Sequence, residues 1–106
     1  MEFPLEITAA DAARLYQAGA LLVDVREPNE LAVCQVSGST AIPIREIPVR
    51  TAEIPRDRQV LILCHHGGRS ARVTQFLRAN GWDNVTNVAG GIDAWAMQVD
   101  PTLARY

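Results

Sequence analysis

Cys64 is the side chain whose type and setting point most directly to chemistry. It follows the apolar run Val60-Leu61-Ile62-Leu63, opens the stretch His65-His66-Gly67-Gly68-Arg69-Ser70, and is followed by a helical pattern. Cysteine is nucleophilic as its thiolate. A place between a strand end and a helix start favours that form, because the first N–H groups of a helix have no helical partner and its dipole is positive there. Arg69 adds a positive charge close by. A second group that could serve a site is Asp24 with Arg26, at the end of another apolar run. Strand ends that finish in charges open onto sites, but such charges also simply pair or cap locally, and both readings stand at this level.

The surrounding elements must hold these groups in place. Four consecutive branched apolar residues before Cys64 read as a strand buried on both faces, and the two glycines end it in a tight loop. Val73, Phe76 and Leu77 then recur at helical spacing, with Arg72, Gln75 and Arg78 on the other face and Asn80-Gly81 as the stop. Earlier in the chain, Thr8-Ala9-Ala10-Asp11 starts a helix running to Gln17 or Ala18, and residues 20–25 form the second buried strand. A short helical turn is predicted over residues 29–33 and a short strand over 40–42. A short helix over 46–53 is weakened by Pro48. Residues 84–88 read as one more strand, and Gly90-Gly91 starts a last helix that carries Ile92, Trp95 and Ala96 inward. Trp82 and Trp95 are expected in the core. Strands alternating with helices predict an α/β fold, with a parallel sheet, right-handed crossovers and helices on both faces. Ligands in such sheets bind at the carboxyl ends of the strands, where Cys64 and the group from Asp24 to Arg26 would lie.

Composition narrows the function classes. The 106 residues, 48% of them hydrophobic, suit one domain over residues 1–106. A net charge of −2 speaks against a general binder of nucleic acid or of anionic membranes. The first residues lack the charged and apolar regions of a leader, and no stretch approaches a membrane span, so a cytoplasmic protein is expected. It is also expected to be a monomer. Two cysteines are no disulfide framework. All ten basic residues are arginine, which removes Schiff-base chemistry on lysine. A metal site from Cys64, His65 and His66 is disfavoured, because adjacent residues seldom converge on one ion and no second Cys/His cluster completes four ligands. No cofactor is implied.

Over nearly its whole length the chain resembles the rhodanese family of single-domain sulfurtransferases. Three segments carry the resemblance: Leu22-Val23-Asp24-Val25-Arg26-Glu27-Pro28-Asn29-Glu30, the loop Cys64-His65-His66-Gly67-Gly68-Arg69-Ser70, and Gly90-Gly91-Ile92-Asp93-Ala94-Trp95. Their order and spacing make the match strong. The segment usually read as Gly-His-Ile-Pro-Gly-Ala departs, since Cys34-Gln35-Val36-Ser37-Gly38-Ser39 stands in its place. Gly38 is retained, so the turn is expected to survive, and Cys34 is expected to be a small buried hydrophobe.

The resemblance implies a five-stranded parallel sheet flanked by helices. It also implies a transfer in which Cys64 takes the outer sulfur of a small anionic donor such as thiosulfate and passes it to a thiol or to cyanide. In that reading backbone N–H groups of residues 65–70 converge on the sulfur, Gly67 and Gly68 let the loop curl, and Arg69 pairs with the donor's oxygens rather than joining a surface salt bridge. His65 and His66 have positioning roles, and Ser70 is counted with residues 65–69 among those that bind the donor. The nearest enzymatic rival is a phosphatase or arsenate reductase on the same scaffold. Those loops carry five residues between Cys and Arg, and this one carries four, too tight for phosphate. From another class, a non-catalytic binding or regulatory module would keep the fold, but the intact Cys64, glycines and Arg69 argue against it. The site is expected to be shallow, open, and reachable by a bulky thiol.

Overall fold

In the computed structural model, which describes residues 2–106, the two apolar runs lie side by side as β2 (Leu21–Asp24) and β4 (Val60–Leu63). They pair in parallel, with Leu22 opposite Leu61 and Asp24 opposite Leu63. Alternate side chains go to opposite faces, as strand geometry requires. Val23, Val25, Val60, Ile62 and Cys64 point to one face, where Val73 and Leu77 of α3 (Gly68–Ala79) cover them together with Ile47, Ile54 and Trp82. Leu22, Leu61 and Leu63 point to the other, against the alanines of α1 (Ala9–Gln17) and against Ile92 and Trp95 of α4 (Gly91–Gln98). Burial of each such aliphatic side chain is worth about 1.5–3 kcal/mol, and this two-sided core fixes where β4 ends and hence where Cys64 sits.

The sheet has five parallel strands in the order β1-β5-β4-β2-β3, with β3 at Thr40–Ala41 and β5 at Val85–Val88. The edge strand β1 is only Glu6–Ile7, registered against Asn87 and Val88. Two residues of mixed polarity carry no strand pattern, so the sequence gives no sign of it. The segment is docked by hydrogen bonds instead: Arg78 donates to the carbonyls of Phe3 and Pro4 at 2.9 Å, and Thr86 donates to Pro4 at 2.7 Å.

Most of the expected elements form where their signals lie. Thr8 caps α1, its hydroxyl accepting from the N–H of Asp11 at 3.1 Å. The turn after β2 is α2 (Pro28–Leu31). Two expectations need correction. The helix over 46–53 is instead a pair of 3-10 helices, Ile44–Val49 and Thr51–Glu53. Pro48 inside the first has no N–H for a continuous α-helical ladder. Phe76, expected to face inward with Val73 and Leu77, is 40% exposed. At 100° per residue it falls off the edge of the face made by Ser70, Val73, Thr74 and Leu77, all of which are buried. Trp82 and Trp95 are in the core as expected. Among the described residues no helix is long and apolar enough to cross a membrane.

Candidate active site

The loop after β4 takes its shape from two features of the chain. Gly67 is the N-terminal cap of α3 at φ 103°, a conformation that side chains rarely adopt, and its N–H donates to Cys64 Sγ at 3.1 Å. The N-terminus of α4 packs against the other side of the same loop. There the Ile92 N–H donates to the Cys64 carbonyl at 2.8 Å and the Asp93 N–H to that of His65 at 3.2 Å. The helix end thus uses its unpartnered donors to hold the loop's carbonyls. Gly91 permits the contact, since a Cβ there would collide with the backbone oxygens of Cys64 and His65.

Cys64 is 1% exposed and lies at the floor of an open cavity of about 520 Å³ lined by His65, His66, Gly68, Arg69 and Arg72. Besides the Gly67 N–H, its sulfur has the Ser70 hydroxyl at 3.2 Å. Two arginines, two imidazoles and a helix start face the cavity with no carboxylate among the lining residues, a setting that attracts anions. A group added to the sulfur would project from a buried base into this space.

The structure places Arg69 beside the cavity but commits it to Glu30. Its Nη1 donates to Glu30 Oε1 at 2.7 Å and its Nη2 to Oε2 at 2.8 Å. The expectation that Arg69 would avoid a salt bridge therefore needs correction: α2 turns Glu30 toward the start of α3, and the planar fork meets a carboxylate of matching geometry. The hydrogen bond from Arg69 is the largest influence holding the Glu30 carboxyl down to about 2, well below its ordinary value, and the same bond raises Arg69. Glu30 also accepts from the Tyr106 hydroxyl at 2.8 Å and from the Glu27 N–H at 3.1 Å.

Asp24 and Arg26 do not line the cavity. They form an ion pair with both side chains 0% exposed, Arg26 Nη2 lying 2.8 Å from Asp24 Oδ2. Arg26 goes on to donate to the carbonyls of Glu30 at 3.2 Å and Cys34 at 2.9 Å and to the Tyr106 hydroxyl at 3.1 Å. Burial works against its charge, but the bonds to Asp24 and Tyr106 outweigh it and raise its pKa. Of the two readings of this pair, local pairing is what is found, and the pair supports the site from behind by fixing α2 and therefore Glu30.

His65 is half-buried, stacked on His66 and on Tyr106 with ring centres 3.8 Å apart in each case, and its Nε2 donates to the Tyr106 main-chain oxygen at 2.9 Å. His66 is exposed. Cys34 is half-buried against the α1/α4 side of the core, and Gly38 keeps its turn at φ 83°. Sequence reasoning did not single out Glu30, Tyr106 or Arg72 as parts of the site. The first two reach it through contacts across 39 and 76 positions, for which no local pattern exists.

The sequence profile of the Rhodanese-like domain family matches residues 8–98, so the chain belongs to that family. A protein named Sulfurtransferase from Allochromatium vinosum is 42% identical over 84 residues, which are 79% of this chain and 78% of that protein. Thiosulfate sulfurtransferase GlpE from Tolumonas auensis is 30% identical over 90 residues, 84% of this chain and 85% of that one. The crystal structure of a rhodanese-related protein from Thermoplasma volcanium superposes with a TM-score of 0.82 at 34% identity, covering 92% of this chain and 94% of its own. The same domain also occurs within longer proteins: the chain spans 30% of Rhodanese-like/PpiC domain-containing protein 12 from Arabidopsis thaliana, at 36% identity over 91 residues.

Proposed function

We propose that the protein is a sulfurtransferase in which Cys64 carries the sulfur, taking it from a small anionic donor of the thiosulfate type and giving it to a thiol. The observation that carries this reading is the Cys64 sulfur at the floor of a cationic cavity, with the Gly67 N–H at 3.1 Å and the Ser70 hydroxyl at 3.2 Å. Its membership of the rhodanese-like family and the names of the two sulfurtransferase relatives support it.

In the first half-reaction the Cys64 thiolate attacks the outer sulfur of the donor. The donor's S–S bond breaks, and sulfite leaves with the bonding pair. Cys64 now holds a persulfide whose outer sulfur bears the negative charge. In the second half an acceptor thiolate attacks that outer sulfur, the persulfide bond breaks, and its electron pair returns to Cys64 as thiolate. Both steps move anionic sulfur, so fixed N–H and O–H donors and the helix start stabilise them. Arg69 and Arg72 draw the anionic donor into the cavity.

Incubation with thiosulfate followed by intact-mass spectrometry tests the reading. A gain of one sulfur that cyanide removes is expected on the wild type and not on Cys64→Ser. If neither thiosulfate nor an organic persulfide adds sulfur to the wild type, the protein is no sulfur carrier.

A further inference from the structure

Next to the cavity lies an apolar groove of about 210 Å³ lined by Ile44, Ile47, Pro48, Val73 and Phe76, and its remaining wall is Arg72. Arg72 also lines the cavity over Cys64, so the two spaces share this side chain. The groove is smaller than the roughly 300–1,000 Å³ of a small-molecule site, and suits the anchoring of one large apolar side chain.

The charges around the groove narrow the occupant. Arg45 is paired with Glu27 and Glu46, Arg50 with Glu46 and Glu53, and Arg69 with Glu30. Arg72 is exposed and, among the described residues, takes part in none of the ion pairs. Arginine and aromatic side chains left open beside an apolar pocket are the usual anchors of a protein contact. Phe76 is 40% exposed, and Val49, which ends the 3-10 helix that forms the groove's far wall, is 83% exposed.

We propose that this groove seats a segment of the acceptor, a protein whose reactive cysteine is accompanied by an acidic residue for Arg72 and a large apolar residue for the groove. The inference rests on the sulfurtransferase reading of Cys64 and adds to it the class of partner. Spacing follows from helix geometry. Arg69, Arg72 and Phe76 lie at i, i+3 and i+7 along one flank of α3, a span of about 10 Å at 1.5 Å per residue. An extended chain covers that in about three residue steps at about 3.3–3.6 Å each, so the first same-facing position far enough along to span it is the fourth. Its side chains at i, i+2 and i+4 point the same way, so the recognised pattern is cysteine, then the acid two positions on and the apolar residue four positions on. Transfer is the second half-reaction written above, with the partner's cysteine as the attacking thiolate.

The test loads the protein with thiosulfate, removes the excess, and measures transfer to the peptide Cys-Ser-Asp-Ser-Leu with capped ends, to its Asp→Asn and Leu→Ser forms, and to the form with both changes. The full peptide should react about tenfold faster than the doubly changed one, a total of about 1.4 kcal/mol shared between the two anchoring side chains, and a few-fold faster than either singly changed form. Arg72→Gln should abolish the preference for Asp over Asn while keeping that for Leu, and Phe76→Ser should do the reverse. Each readout is a ratio of peptides within one variant, so a general loss of activity cancels. Equal rates across the peptides, or ratios that neither variant moves, would overturn the inference while leaving the sulfur carrier intact. So would a non-peptide thiol with an apolar chain and a carboxylate, such as 8-mercaptooctanoate, outrunning the full peptide. Failure of the protein to load sulfur at all would be a different result, overturning the proposed function and this partner with it.

Discussion

Arg69 and Glu30 meet in a two-pronged ion pair, at 2.7 and 2.8 Å, across 39 positions of chain. The pair ties the first turn of α3 to α2, so the arginine beside the Cys64 cavity is a structural as well as an electrostatic element. An incoming anion must share Arg69 with Glu30, which leaves Arg72 as the cavity arginine outside any ion pair among the described residues.

Arg69→Ala should therefore lose on two counts. The KM for thiosulfate should rise several-fold, and stability should fall by about 1–3 kcal/mol, because a half-buried carboxylate loses its charged partner. Steady-state kinetics and urea unfolding measure the two. A rise in KM with an unchanged unfolding midpoint would mean that the pair adds nothing to the fold.

The pair also sets an acid limit. Glu30 titrates near 2 when folded against an ordinary value of 4.5, chiefly through Arg69. Its folded value is the lower one, so the stabilisation is complete above about pH 4.5 and drains away as pH falls toward 2. Glu30→Gln lacks this component. The difference in unfolding free energy between wild type and Glu30→Gln should be widest near pH 6 and narrow steadily toward pH 3. A gap that stays constant over that range would exclude ionic pairing as its source.

Behind this pair stands another with opposite consequences. Asp24 and Arg26 are fully buried, and Arg26 alone links Asp24, the Glu30 and Cys34 carbonyls and Tyr106. Arg26→Met strands a carboxylate in the core and should cost about 3–5 kcal/mol. Adding Asp24→Leu removes the stranded charge, so the double variant should recover a substantial part. Chemical denaturation of the two single variants and the double gives the coupling directly, and simple additivity would contradict it.

What the sequence disclosed and what it hid divide along physical lines. Cys64 stood out because its signals are local: four branched apolar residues, then glycines, then a helical repeat. The α/β order was readable for the same reason. Phe76 misled because spacing of three residues fits a helical face in general, whereas the sheet contacts a narrower arc centred on Val73 and Leu77. The edge strand at Glu6 and Ile7 is held by side chains from the far end of the chain, and two residues cannot carry a period. Asp24 and Arg26 could be named but not sorted, since a charged strand end looks alike whether it opens onto solvent or folds into the core. Glu30 and Tyr106 depend wholly on tertiary contact.

Gly91 shows how a local signal can carry a tertiary reason. The paired glycines mark a helix start, but the need for the second lies in the loop it touches. Gly91→Ala should push the α4 terminus off the backbone of Cys64 and His65 and should add strain at φ 61°, a combined loss of about 2 kcal/mol or more. Melting temperature and the rate of sulfur loading from thiosulfate should fall together. Normal loading in a variant that melts lower would show that the α4 brace serves stability alone.

Ser70 offers the sharpest separation of chemistry from binding. Its hydroxyl lies 3.2 Å from the Cys64 sulfur, while its own carbonyl accepts from Thr74 at 2.8 Å. Ser70 is buried and is absent from the cavity wall, so it touches the Cys64 sulfur without facing the cavity. When the sulfur is anionic the hydroxyl must be the donor. A hydrogen bond to a charged group is worth about 1.5–3 kcal/mol, or tenfold and upward in rate if it is made in the transition state. Ser70→Ala keeps the shape and leaves the Gly67 N–H in place. It should lower kcat for sulfite release by about tenfold or more with KM for thiosulfate nearly unchanged and the unfolding midpoint little moved. Arg72→Gln should behave in the opposite way, raising KM with little change in kcat, since its side chain lines the cavity and has no hydrogen bond to the sulfur. Stopped-flow measurement of sulfite release against thiosulfate concentration resolves the two patterns, and a rise in KM with kcat intact for Ser70→Ala would place its hydroxyl on the donor instead of on Cys64.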